Sequence, residues 1–227
     1  MITIRKEALV NDHFYHIYNR SIAKYIVFNS LDEFKRIIQM INFFRFEEFN
    51  FKWSYFNRLT KKAQLEILQN IDLDKDKIVS VIAFCIMPTH VHFLLRQNKI
   101  NGISNYTGRI LNSYSKFFNF KHKRIGPLWA GRFKSVRIKS DEQLLHLTRY
   151  IHLNPTSAGL VKNPGEWNYS SYKEFITGHD LCDKQFICDN DIFNINPEKY
   201  EKFVNDRKDY QRKLSLIKNS LIDNYSG

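Results

Sequence analysis

The chain has 227 residues, room for one core domain with an appendage or for two small domains. Its 43% hydrophobic and 15% aromatic content can bury a sizeable core and excludes wholesale disorder. A formal net charge of +12, with no apolar run long enough to span a bilayer, predicts a soluble cytoplasmic protein with an anionic partner: nucleic acid first, a membrane surface second.

The opening MITIRKEALVNDHFY lacks the apolar centre of a signal peptide. HFYHIYNRSI (residues 13–22) has the aromatic and β-branched content of a strand. Ser30 with Glu33 makes a capping-box pattern, and LDEFKRIIQMINFFRF behind it has helical spacing. Residues 45–77 are polar and irregular, with a short helix expected at LTKKAQLEILQN, and read as an insertion rather than a core element. IVSVIAFCIM (78–87) and HVHFLLR (90–96) predict a β-hairpin with Met-Pro-Thr at its tip. A helix over 103–122 is expected to break at Gly126-Pro127, and GRFKSVRI (131–138) reads as a further strand. Ser140 with Gln143 opens DEQLLHLTRYIHL as a last helix, which Asn154-Pro155 should end. Residues 180–227 carry scattered charges and a helix-like tail. This strand–helix–strand–strand–helix–strand order predicts an α+β fold, one antiparallel sheet with helices packed on one face.

The charge is concentrated. From Lys77 to Ser140 there is no Asp or Glu, yet the stretch holds twelve Lys and Arg. The other 23 basic residues are balanced by 23 acidic ones. An ordinary solvated surface mixes both signs, so this block points to phosphate contacts. Arg109, Lys116, Lys121, Lys123, Arg124, Arg132, Lys134 and Arg137 are the candidate DNA-binding residues. Arg132 and Lys134 share a strand face and are the better placed. Aromatic residues interleave the block; some are candidates for base stacking, although core packing is the commoner fate of Phe117, Phe120 and Trp129.

Inside the block lies MPTHVH (87–92). On a strand, His90 and His92 project from the same face, and two adjacent imidazoles make half a metal site. The best source of further groups is the last helix, where His146, Tyr150 and Asn154 follow at intervals of four. His16 on the first strand is a candidate neighbour of the metal, although a satisfied sheet histidine is the commoner outcome. His152 points away from Tyr150 on a helix and stays outside the metal shell. Cys85, Cys182 and Cys188 form no C-x-x-C pair, which argues against a cysteine zinc site.

Four stretches in this order carry a resemblance: YHIYNR (15–20), MPTHVHFLL (87–95), GPLWAGRF (126–133) and YIHLNP (150–155), followed by SSY at 170–172. Together they resemble the REP-associated tyrosine transposases, a branch of the HUH single-tyrosine transposase superfamily near the insertion-sequence transposases. The resemblance covers roughly residues 10–176 and implies a ferredoxin-like catalytic domain over 1–176, with 177–227 as a mostly helical or partly flexible extension. It further implies that His90, His92 and Asn154 bind Mg²⁺ or Mn²⁺, and that Tyr150 is the nucleophile. The implied chemistry is attack on a DNA phosphodiester, giving a 5′-phosphotyrosine link and a free 3′-OH. The implied substrate is hairpin-containing single-stranded DNA, handled by a monomer or a homodimer. Alternatives are a non-catalytic structured-nucleic-acid binding protein derived from such a transposase, a metallophosphoesterase using activated water, and a replication or relaxase nuclease.

Overall fold

A computed structural model describes residues 7–208 except 50, 71, 73, 74, 178–187, 190–192, 194 and 195. Cys182 and residues 209–227 of the tail lie outside the described residues.

The strands form where bulky side chains alternate. In β1 (Phe14–Arg20), Tyr15, Ile17 and Asn19 are buried while His16 and Tyr18 on the opposite face are partly exposed. The hairpin is formed as expected: β2 (Val79–Met87) and β3 (His90–Gln97) pair antiparallel, with Met87 opposite His90 and only Pro88-Thr89 between them. β3 also pairs antiparallel with β1, which pairs antiparallel with β4 (Lys134–Arg137). The sheet order is β2-β3-β1-β4, each neighbour antiparallel, as expected for a ferredoxin-like α+β domain.

Helices α1 (Leu31–Phe43) and α4 (Gly102–Lys121) cover one face of the sheet, where Ile37, Met40, Tyr106, Ile110 and Tyr114 pack with Ile17 and Phe93. The expectation placed the helices on one face; the structure also covers the other. There α5 (Asp141–Ser157), α6 (Tyr172–Ile176) and α7 (Pro197–Asn205) bury Leu144, Ile151, Phe175 and Tyr200 against Cys85, Met87 and Leu94. The physical reason is that Cys85, Met87 and Leu94 alternate with the first-face residues of β2 and β3. Both faces of this hairpin are therefore apolar and both need cover. α7 belongs to the C-terminal extension and is docked on this second face.

Two further expectations are corrected. The 45–77 segment is not peripheral throughout. It contains α2 (Trp53–Phe56) and the expected short helix as α3 (Lys61–Gln69), and Phe46, Phe49, Trp53 and Phe56 are buried. The rings of Phe49, Trp53 and Phe56 pack around Phe43 at the end of α1, which a polar average over the segment conceals. Pro155 does not end its helix either; α5 continues to Ser157. Proline lacks one N–H donor, but the last turn is closed around it by Ala158 N–H to the Asn154 carbonyl and Leu160 N–H to the Pro155 carbonyl.

Candidate active site

Strand register assembles the site. Pairing of β1 with β3 sets Tyr18 opposite His92 and Arg20 opposite His90. His16, Tyr18, His90 and His92 therefore share the sheet face that α5 covers. His16 Nε2 lies 2.9 Å from His92 Nδ1, and the His90 and His92 rings are 5.0 Å apart. Tyr150, on α5, meets this group edge-on, its ring 5.9 Å from that of His92 and 6.1 Å from that of His16. Tyr150 remains 41% exposed.

Hydrogen bonding constrains the imidazoles. His90 Nδ1 stands 3.0 Å from Thr89 Oγ1 in the hairpin turn, and His92 Nδ1 faces His16. When both Nδ1 atoms carry the proton and donate it, both Nε2 lone pairs are left for a cation. Burial holds His16 and His90 down at about 4, and Arg20 adds to the effect at His90. Burial also lowers His92, reinforced by His90 and His16 beside it. All three are therefore neutral near pH 7, the form that binds metals.

Tyr150 shifts the other way. Burial raises its pKa and Tyr18 adds to the rise, while the Asn154 side chain opposes it with a hydrogen bond. In the protein alone the phenol stays protonated at neutral pH. Asn154 follows one turn later on α5, and its Nδ2 donates to the Tyr150 carbonyl at 2.9 Å. His146 is not part of the group: it pairs with Arg149 at 2.6 Å and packs on Phe203. His152 is also outside it. Its Nδ1 is 2.7 Å from the Tyr200 hydroxyl and its Nε2 is 2.8 Å from Ser171 Oγ, which explains the SSY stretch as a core contact.

The remaining motifs build the rim. Asn19 Nδ2 donates to the Gly131 carbonyl, Ala130 N–H to the Arg20 carbonyl and Ser21 N–H to the Thr89 carbonyl. YHIYNR thus ties the hairpin turn to the GPLWAGRF loop. A cavity of about 160 Å³ opens there, lined by Tyr18, Arg20, Arg132 and Lys134 among others.

The eight candidate DNA-binding cations do not form one surface. Arg132 and Lys134 lie at that cavity, and Lys134 is on the face of Tyr18. Arg137 pairs with Tyr15 and so is on the reverse face of β4. Arg109 and Lys116 are on α4, across the sheet from Tyr150. Lys121 is engaged with Ser30 and Glu33, and Arg124 with the Asn119 side chain and the Pro127 carbonyl. Lys123 is exposed just beyond α4.

The sequence offered His16 as a neighbour of the metal but favoured a satisfied sheet histidine. It does sit in the sheet with its hydrogen bond satisfied, but its partner is the metal-site candidate His92. The signal was the alternation in YHIYNR, which puts His16 and Tyr18 on one face; the register that brings them to β3 is a tertiary fact. Thr89 was read only as a turn residue.

Comparison with known proteins gives a consistent result. Residues 48–154 match the family described as "Transposase IS200 like", a span that contains His90, His92, Tyr150 and Asn154. A putative REP-associated tyrosine transposase of Haemophilus influenzae is 30% identical over 103 residues, 40% of this chain and 57% of the relative. The chain thus matches little more than half of that relative's length. A REP-associated tyrosine transposase of Escherichia coli is 23% identical over 117 residues, 50% of this chain and 67% of the relative. The fold is similar to the structure of a REP-associated tyrosine transposase bound to a REP hairpin. The TM-score is 0.50 at 12% identity, covering 82% of this chain and 96% of that one. The chain is thus similar to IS200-like transposases over residues 48–154 and to REP-associated tyrosine transposases over part of their length, and it shares the fold of one of them.

Proposed function

We propose that this chain nicks and rejoins single-stranded DNA next to a hairpin, with Tyr150 as nucleophile and a divalent metal held by His90, His92 and Asn154. The observation that carries the reading is the approach of a half-exposed tyrosine to a pair of neutral histidines on a cationic protein. Among the described residues no three His, Cys, Asp or Glu side chains group as a metal site. On this reading the donor set is two imidazole nitrogens and the Asn154 amide oxygen. Imidazole suits first-row transition ions and an amide oxygen suits harder ones, so the set fits Mn²⁺ and, less tightly, Mg²⁺. When bound, such an ion polarises the scissile phosphate and offsets its developing charge.

The chain's own groups do the rest. The Tyr150 oxygen attacks phosphorus, the Tyr–O–P bond forms as the P–O3′ bond breaks, and the leaving oxygen takes up a proton to become a 3′-OH. The Tyr150 hydroxyl gives up its proton in the same step. The phosphodiester energy is kept in the 5′-phosphotyrosine link, so joining needs no nucleotide cofactor. Arg132 and Lys134 stand on the Tyr150 side of the sheet, where they can hold the flanking phosphates. A structural neighbour solved with a REP hairpin supports a hairpin partner on this reading.

A labelled hairpin oligonucleotide with single-stranded flanks tests this. Nicking should rise saturably with Mn²⁺, stop with chelator, and disappear in His92→Ala. Metal-independent nicking, or full nicking by His92→Ala, would overturn the assignment.

A further inference from the structure

We propose that a cleft between α1, α4 and residues 51–55, on the sheet face opposite Tyr150, binds unpaired bases of single-stranded DNA. The choice of DNA rests on the proposed function; the cleft itself rests on its own chemistry. The cavity is about 1050 Å³. Its wall carries four cations, Arg36, Lys52, Arg109 and Lys116, and no carboxylate.

The sequence of α4 builds two stripes. Ile103, Tyr106, Ile110, Tyr114 and Phe118 face the core. Arg109, Asn112, Ser113, Lys116, Phe117 and Phe120 follow at the same helical spacing and line the cleft. Phe120 is 88% exposed and Tyr55, across the cleft, is 54% exposed. Phe117 lies beneath the Arg36 guanidinium, 4.7 Å from the ring centre. The buried Trp53 indole N–H in the same wall has no acceptor among the described residues. Arg109 Nη1 donates to the Phe49 carbonyl at 3.2 Å and ties the 45–77 segment to α4, so the two walls are held together.

An apolar peptide would satisfy the rings but bring no anion to the four cations. A double helix would answer the cations but offer no base faces to the rings. Unpaired nucleotides answer both, since bases stack on aromatic side chains while phosphates meet the cations.

The test uses the full chain and short oligothymidylates carrying one 5-iododeoxyuridine. After ultraviolet irradiation, crosslinks mapped by peptide mass spectrometry should fall on Tyr55, Phe117 or Phe120. They should persist in Tyr150→Phe. Phe120→Ala with Lys116→Glu should weaken single-strand binding about 10-fold or more, the order of one lost stacked base, with the melting temperature preserved. Phe120→Trp alone, which keeps a stacking ring, should retain wild-type binding. Crosslinks confined to the β1–β3 face, or single-strand affinity unchanged in the double variant, would overturn the proposal. So would a dimer in solution that Phe120→Ala dissolves without altering DNA affinity, which would make the cleft an interface between copies. If no Tyr150 adduct ever forms but the crosslinks map to the cleft, the nuclease reading falls and the cleft remains.

Discussion

At the residue scale the candidate metal site turns on His16. With its Nε2 as the acceptor, His16 would keep the proton of His92 on Nδ1 and leave His92 Nε2 for a metal. Removing such a partner typically costs ~10–100-fold in metal affinity. His16→Ala should therefore weaken Mn²⁺ binding by about that factor, read by electron paramagnetic resonance of the free ion. His16→Asn, whose side-chain oxygen can accept the same proton, should recover part of it. Equal affinities in wild type and His16→Ala would remove the residue from the site. The two strand histidines were legible in the sequence because a period of two is local. Their partner was not: it is 76 residues away, joined only by the pairing of β1 with β3.

At the element scale, the termini of α1 and α4 set the geometry of the face opposite Tyr150. Burial alone would raise the Glu33 carboxyl. The Asn29 and Ser30 amides, His122 and Lys121 outweigh burial and hold it at about 2. A carboxyl lowered in the folded state stabilises above its ordinary pKa of 4.5, and that contribution fades as pH falls from 4.5 toward 2. Glu33→Gln should cost about 1 kcal/mol or more at pH 7 and flatten the acid limb of a stability–pH curve. An unchanged acid limb would mean that other carboxylates govern it. At the start of α4, a Cβ on Gly102 would fall 2.1 Å from the Ile78 carbonyl oxygen, so helix and strand meet only because no side chain intervenes. Gly102→Ala should destabilise by ~1–3 kcal/mol in denaturant unfolding. The hairpin and both capping patterns were visible in the sequence because turn and cap chemistry are local. The continuation of α5 through Pro155 was not, because what closes that turn lies in the residues after it.

At the scale of the whole molecule, the charge excess is distributed over both faces of one sheet. In the sequence the acid-free block is one continuous stretch. Folding divides it: Arg132 and Lys134 go to the Tyr150 side, Arg109 and Lys116 to the cleft side, and Lys121 and Arg124 into local contacts. Single-strand affinity should fall linearly on a log–log salt plot, with a slope that shrinks by ~0.7 for each phosphate no longer neutralised by a side chain. Arg132→Ala and Lys134→Ala should each flatten it by about that amount. A slope unchanged by either would take the substrate elsewhere.

The most direct test of the central claim is to find the covalent bond. The protein would be incubated with Mn²⁺ and hairpin oligonucleotides with single-stranded flanks, digested, and its peptides sequenced by mass spectrometry. The predicted product is a 5′-phosphate joined to the Tyr150 oxygen, absent with chelator and absent in Tyr150→Phe. Cleavage that leaves no adduct and survives Tyr150→Phe would contradict a tyrosine nucleophile and indicate water instead.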